Sequence, residues 1–268
     1  PYSLKLSQNI LNLNPNENSK LTATLKGKSG LNWTSDNNDV ATVDKNGNVK
    51  SKKEGIANIT VQTIEKSNNG KRLIQSCKVR VQEPVSKIYC CMYDDGEMII
   101  SQNPIIPQDK RTVSINKLMR DPTDTGNIDI RSCVDRVTIK DYLKPLKCRN
   151  WFFWFKGLKK INNIENLDTS KCESFDGMFN NCHSLTELDL SKLDTSNVKD
   201  VSCMFDGCKN LKTLNLTNWN LKNLKYAWYV FDGCKSLQTV TTNINTKNQL
   251  DFYNEASTNN WVKNWNFK

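Results

Sequence analysis

A chain of 268 residues, 37% of them hydrophobic and with a mean hydropathy of −0.63, can bury one large or two ordinary cores in water. No run approaches the roughly 18 consecutive apolar residues of a membrane span, and Pro1-Tyr-Ser-Leu-Lys-Leu6 has no apolar segment of the signal-peptide kind. The net charge of +10 is spread, +6 over residues 1–83 and +4 over the remainder, without the basic stripe and interleaved aromatics of a nucleic-acid groove; this argues against a nucleic-acid partner and leaves only a diffuse attraction to anionic surfaces.

From Leu4 to about Val81 short apolar runs alternate with polar residues between clusters of Asn, Gly, Ser and Asp. Leu21-Thr-Ala-Thr-Leu25, Val40-Ala-Thr-Val43, Ile56-Ala-Asn-Ile-Thr-Val61 and Cys77-Lys-Val-Arg-Val81 have the period of two of half-buried strands, which predicts an all-β sandwich over residues 1–83. Asp44-Lys-Asn-Gly47 reads as a hairpin turn and not as a calcium loop, because the alternation of Asp44, Asn46 and Asn48 lacks the closing Glu. Trp33 is expected to plug the sandwich core.

Leu31-Asn-Trp-Thr-Ser35, Val40-Ala-Thr-Val-Asp44, Asn46-Gly-Asn-Val49 and Gly55-Ile-Ala-Asn-Ile-Thr-Val61 resemble the group 2 bacterial immunoglobulin-like domain. The resemblance implies a module of invasin- and intimin-type surface proteins that usually holds other domains away from the cell. An export signal and a wall anchor are then expected outside this sequence.

Residues 84–150 are expected to form a β-rich N-terminal cap: Ile88-Tyr-Cys-Cys-Met-Tyr93, Asp94-Asp-Gly96 and Glu97-Met-Ile-Ile100 suggest a hairpin, and Asp121-Pro-Thr-Asp-Thr-Gly126 a loop. Beyond them a period of 26 appears. Phe179, Phe205 and Phe231 obey it, as do Cys182, Cys208 and Cys234, and Leu185, Leu211 and Leu237. Leu185, Leu188 and Leu190, then Leu211, Leu214 and Leu216, have the spacing of a short strand with leucines inward. Upstream, Val198, Val201, Met204 and Phe205 recur as a helical stripe, repeated by Cys172, Phe175, Met178 and Phe179 and by Leu224, Ala227, Val230 and Phe231. These patterns predict an α/β leucine-rich-repeat solenoid of 26-residue coils over residues 151–268, with Leu188, Leu214 and Val240 on adjacent parallel strands. The lead-in needs a spacing of 24 to align Ile161 and Ile164 with Leu185 and Leu188, which makes residues 151–165 a cap; Phe252, Tyr253, Trp261, Trp265 and Phe267 are expected to cover the other end.

Phe175-Asp-Gly-Met-Phe-Asn-Asn-Cys182 and Met204-Phe-Asp-Gly-Cys-Lys-Asn-Leu-Lys-Thr-Leu-Asn-Leu216 resemble the BspA-type leucine-rich repeat of bacterial surface proteins. That likeness implies adhesion to host proteins or other bacteria, hence an extracellular location, secreted or on a bacterial cell surface, with an extracellular protein or glycan as partner. A structural spacer is the alternative, and a glycan hydrolase a third reading.

No catalytic constellation, metal set or cofactor motif emerges. Cys182 and His183 are neighbours, but Cys182 belongs to a core ladder and His183 takes the place of Lys209 and Lys235. Glu187 and Asp189 share one side of a strand, where the neighbouring coils carry Thr213 and Asn215, the mark of a solvated face. The ten cysteines lack zinc spacing, and Cys182, Cys208 and Cys234 are expected to stay reduced because stacked side chains point in parallel. The candidate binding residues are therefore the solvent-facing strand positions: Thr186, Glu187 and Asp189, then Lys212, Thr213 and Asn215, then Gln238 and Thr239.

Overall fold

A computed structural model describes residues 3–27, 29–67, 69–85, 88–105, 113–119, 131–254 and 264–267. They form two compact units, Pro1–Pro84 and Val85–Lys268.

The first unit is built of nine strands: β1 (Ser3–Leu6), β2 (Ile10–Leu13), β3 (Asn18–Lys20), β4 (Ala23–Lys26), β5 (Leu31–Ser35), β6 (Ala41–Val43), β7 (Asn48–Ser51), β8 (Gly55–Thr63) and β9 (Ile74–Val81). One sheet runs β2-β9-β8-β5, another β3-β7-β6, and β1 pairs with β4. β2 lies parallel to β9 while the other pairs are antiparallel. Alternate residues of β8 and β9 point inward, so Ala57, Ile59, Val61, Cys77 and Val79 are wholly buried with Leu21. Trp33 is only half-buried; it sits on β5, an edge of its sheet, with its ring beside Gly47, so the aliphatic residues and not the indole fill the centre. The Asp44 carboxylate is occupied by its own turn, accepting from the backbone N–H of Asn46 (2.8 Å) and of Asn48 (2.9 Å) and from the Asn48 amide (2.7 Å). The side-chain and then the backbone hydrogen bond from Asn48 hold its pKa below the usual carboxylate range.

In the second unit β10 (Ile88–Tyr93) and β11 (Glu97–Ser101) make the expected hairpin around Asp94-Asp-Gly96. With β12 (Val113–Met119), β13 (Arg136–Ile139) and β14 (Lys160–Asn162) they form a sheet ordered β12-β10-β11-β13-β14. The loop expected at residues 121–126 lies outside the described residues. A parallel sheet follows: β15 (Glu187–Asp189), β16 (Thr213–Asn215), β17 (Thr239–Thr242) and β18 (Asn264–Phe267). Leu188 is paired with Leu214 and Leu214 with Val240. Trp265 and Phe267, expected to cap the stack, lie on β18, so this part of the tail adds a strand; Trp261 lies outside the described residues.

The α/β leucine-rich solenoid is not what forms. Among the described residues the one helix longer than a turn is α1 (Ile244–Asn254), near the C-terminus, and the expected helix of each coil is a run of turns. The cause lies in the backbone. Gly177 and Asn181 have positive φ (62° and 58°), as do Cys203 and Gly207 (52° and 73°) and Tyr229 and Gly233 (55° and 66°), a conformation no α-helix contains. Alternate N–H groups donate to the next coil instead of four residues back: Phe175 to Asp200, Gly177 to Ser202, Phe179 to Met204 and Asn181 to Asp206, at 2.7–2.9 Å. The apolar stripe is real, but turns and not a helix carry it.

Behind the strands one core runs from Ile88 to Leu250. Phe179, Phe205 and Phe231 stack in register, ring centroids 5.9 and 5.8 Å apart and within 6° of parallel. Phe152 extends this ladder at 5.2 Å from Phe179, so the lead-in is itself a coil with a spacing of 27, and not a cap aligned at 24. Cys182, Cys208 and Cys234 carry free, buried thiols, each donating to the carbonyl of a ladder phenylalanine one coil away: Phe152, Phe179 and Phe205, at 3.1, 3.1 and 3.0 Å. Burial pushes all three well above the usual thiol range. Cys148 and Cys172 form a disulfide with Cα atoms 5.8 Å apart, joining the lead-in coil to the next.

Candidate functional site

On the strand side the two sheets of the second unit do not join. Among the described residues β14 pairs with β13 alone and β15 with β16 alone, so two strand edges face each other. On the other side of the same coils contact is unbroken: Phe152 stacks on Phe179, and the Ser184 N–H donates to the Lys156 carbonyl at 3.1 Å. The break coincides with the change from a 27-residue to a 26-residue coil. It opens a cleft of about 530 Å3, with Lys159, Lys160, Ile161 and Ile164 on one lip and Thr186, Glu187 and Asp189 on the other, reaching Thr213 and Asn215.

Five of the eight candidate residues, Thr186, Glu187, Asp189, Thr213 and Asn215, thus line one cleft, whereas Lys212, Gln238 and Thr239 lie outside it. The exposed Lys212 has its backbone N–H bonded to the Thr186 carbonyl (2.8 Å), and its own carbonyl accepts from Gln238 (2.9 Å), so it belongs to the same stacked surface. Thr186, Glu187, Asp189, Lys212, Thr213 and Gln238 are exposed, with Asn215 and Thr239 half-buried. The opposite lip was not foreseen; its signal is the alignment of Ile161 with Leu188 at the 27-residue spacing that the phenylalanine ladder reveals.

The two lips differ in charge, Lys159 and Lys160 against Glu187 and Asp189. Burial works to raise the Asp189 carboxyl, but hydrogen bonds from Ser191 and Asn215 outweigh it, so the group stays below the ordinary carboxylate range and is ionised at neutral pH. Asn215 is fixed in turn, its Oδ1 accepting from the N–H (3.0 Å) and hydroxyl (2.6 Å) of Thr217. The chemistry on offer is hydrogen bonding and charge of both signs, in a cleft whose strand edges also present main-chain N–H and C=O groups.

Cys182 and His183 are not brought together: the thiol is buried among the phenylalanines, and the imidazole Nε2 lies 3.1 Å from Asn181 Oδ1. Among the described residues no group of three or more His, Cys, Asp and Glu side chains is arranged to hold a metal ion.

The chain has no match among curated proteins. Among solved structures it is similar to a crystal structure of an EHEC O157:H7 intimin mutant, at 21% identity and a TM-score of 0.21, over 34% of this chain and 53% of that one; it spans about half the length of that structure. Residues 3–73 match the family described as bacterial Ig-like domain (group 2). Residues 148–267 match the family described as Mycoplasma protein of unknown function, DUF285, and the likeness to the BspA-type repeat is not supported by that match. The chain therefore carries a group 2 bacterial Ig-like domain at its N-terminus, followed by a region similar to a family whose function is not known.

Proposed function

We propose that this chain is the display and binding part of an adhesin-like protein of the bacterial cell surface, with its ligand, an extracellular protein or glycan, held in the cleft between β14 and β15. The observation that carries the reading is the break in the strand side of the second unit, which sets five of the expected binding residues around one opening. The volume falls within the range of ordinary ligand pockets, roughly 300–1,000 Å3, and the lining suits a polar, extended ligand. The Ig-like unit supports the surface assignment and supplies a spacer. The Cys148–Cys172 disulfide fits an oxidising compartment outside the cell. The role is binding and not catalysis: Glu187 and Asp189, the nearest approach to an acid pair, are both exposed on one short strand.

The test is a glycan and host-matrix array probed with the full chain and with the double variant Glu187→Lys, Lys212→Glu. Every ligand captured by the parent is expected to bind the variant at least about tenfold more weakly, with a melting temperature nearly unchanged because both side chains are exposed. Undiminished capture would remove the cleft as the binding site, and no capture by the parent would remove the adhesin reading.

A further inference from the structure

The turn side of the coils, away from the strand cleft, departs from the repeat in one place. Positions held by Ser174, Asp176 and Gly177, and again by Asp200, Ser202 and Cys203, become Tyr226, Trp228 and Tyr229 in the third coil. Backbone bridges place Ser174 beside Asp200 and Asp200 beside Tyr226, and the Cys203 N–H donates to the Trp228 carbonyl at 2.8 Å. The three rings are 52%, 45% and 55% exposed, on a coil whose Val230 and Phe231 are buried. Three large aromatic residues exposed side by side are the kind of surface that marks an interaction site.

The rings border a concentration of negative charge. Asp176, Asp200, Asp206 and Asp232 all act on the half-buried Cys203 thiol, which burial first and these carboxylates next push up to about 11. Asp176 is bound by Arg149 at 2.7 Å, but among the described residues Asp200, Asp206 and Asp232 have no ion pair. Burial and then repulsion from Asp232 raise the Asp206 carboxyl. A chain of net charge +10 thus gathers carboxylates without an ion pair beside the most exposed aromatic residues among those described.

We infer that this turn face docks a basic segment of a partner protein, whose Arg or Lys side chains lie over Tyr226, Trp228 and Tyr229 and direct their charges to Asp200, Asp206 and Asp232. Aromatic faces attract cations, and guanidinium groups bond carboxylates in pairs, so the two halves of the surface select the same side chain. Trp and Tyr are also among the residues over-represented where binding energy concentrates. The surface is separate from the strand cleft, and its partner need not be the same molecule.

The experiment measures fluorescence anisotropy of labelled octa-arginine with the full chain at low and physiological salt. Octaglutamate and a neutral Gly-Ser peptide serve as controls, and a neutral glycan set as the competing class. Because the whole chain is strongly cationic, general electrostatics opposes the octa-arginine and only a local acidic face can capture it. Binding is expected for octa-arginine alone. Trp228→Ala should weaken it about tenfold, since the indole gives the strongest cation attraction of the three rings. Asp232→Asn should weaken it and flatten its salt dependence, while Asp39→Asn, an exposed carboxylate of the first unit, should leave it unchanged. Failure of octa-arginine to bind, equal binding by the Trp228→Ala variant in a protein of unaltered melting temperature, or capture of neutral glycans in its place would overturn the proposal. None of these results depends on whether the cleft has a ligand.

Discussion

Replacing Phe205 by Ala is expected to cost the second unit about 3–5 kcal/mol of stability, the range for removing a fully buried phenylalanine. Phe205 has no exposed surface and is the middle ring between Phe179 and Phe231, stacked on both within 6° of parallel. Truncation therefore removes two ring contacts at once and leaves a void the neighbouring coils cannot close, because inter-coil hydrogen bonds fix their separation: Phe205 N–H to the Val230 carbonyl (3.0 Å) on one side, Phe179 N–H to the Met204 carbonyl (2.9 Å) on the other. Equilibrium denaturation of parent and variant reads the difference, and a loss below about 1 kcal/mol would mean that the ladder does not hold the coils together.

An effect of similar size is expected from Lys144→Ala. Lys144 and Asp168 form an ion pair of 3.8 Å with side chains only 2% and 1% exposed. Asp168 also accepts from the Tyr142 hydroxyl (2.5 Å) and the Ser170 N–H (3.0 Å). Removing the ammonium strands a buried carboxylate, which costs about 3–5 kcal/mol in comparable sites, whereas removing both charges together is often close to neutral. The double variant Lys144→Ala, Asp168→Asn should thus be more stable than Lys144→Ala alone, and the losses of Lys144→Ala and Asp168→Asn taken singly should together exceed the loss in the pair. Unfolding midpoints for the four proteins check this; additive losses would show that the charges do not depend on each other.

Much of the architecture was legible because it rests on side-chain periods. The period of two marked β8 and β9, and the period of 26 placed Leu188, Leu214 and Val240 on neighbouring strands. The sequence suggests a helix in each coil where turns form, because a stripe at i, i+3, i+6 and i+7 also arises when successive tight turns send every third or fourth residue inward. The paired positive-φ positions distinguish the two cases, and the sequence showed them only in part, through Gly177, Gly207 and Gly233; Cys203 and Tyr229 give no such sign. The lead-in coil is hidden in the sequence because one extra residue between Phe152 and Phe179 breaks the fixed period. Half of the cleft is hidden with it: Thr186, Glu187 and Asp189 could be placed from the repeat, but Lys159 and Lys160 could not. The Cys148–Cys172 pairing depends on a Cα approach that only the fold creates.

The central claim is that the ligand of this chain sits between the unpaired edges of β14 and β15. Amide hydrogen exchange of the full chain, with and without a ligand found on the array, tests it most directly, because those edges carry main-chain N–H groups that neither flanking sheet engages. Slowed exchange confined to Lys160–Asn162 and Glu187–Asp189 is the predicted result; protection restricted to residues 3–84, with both edges unchanged, would contradict it.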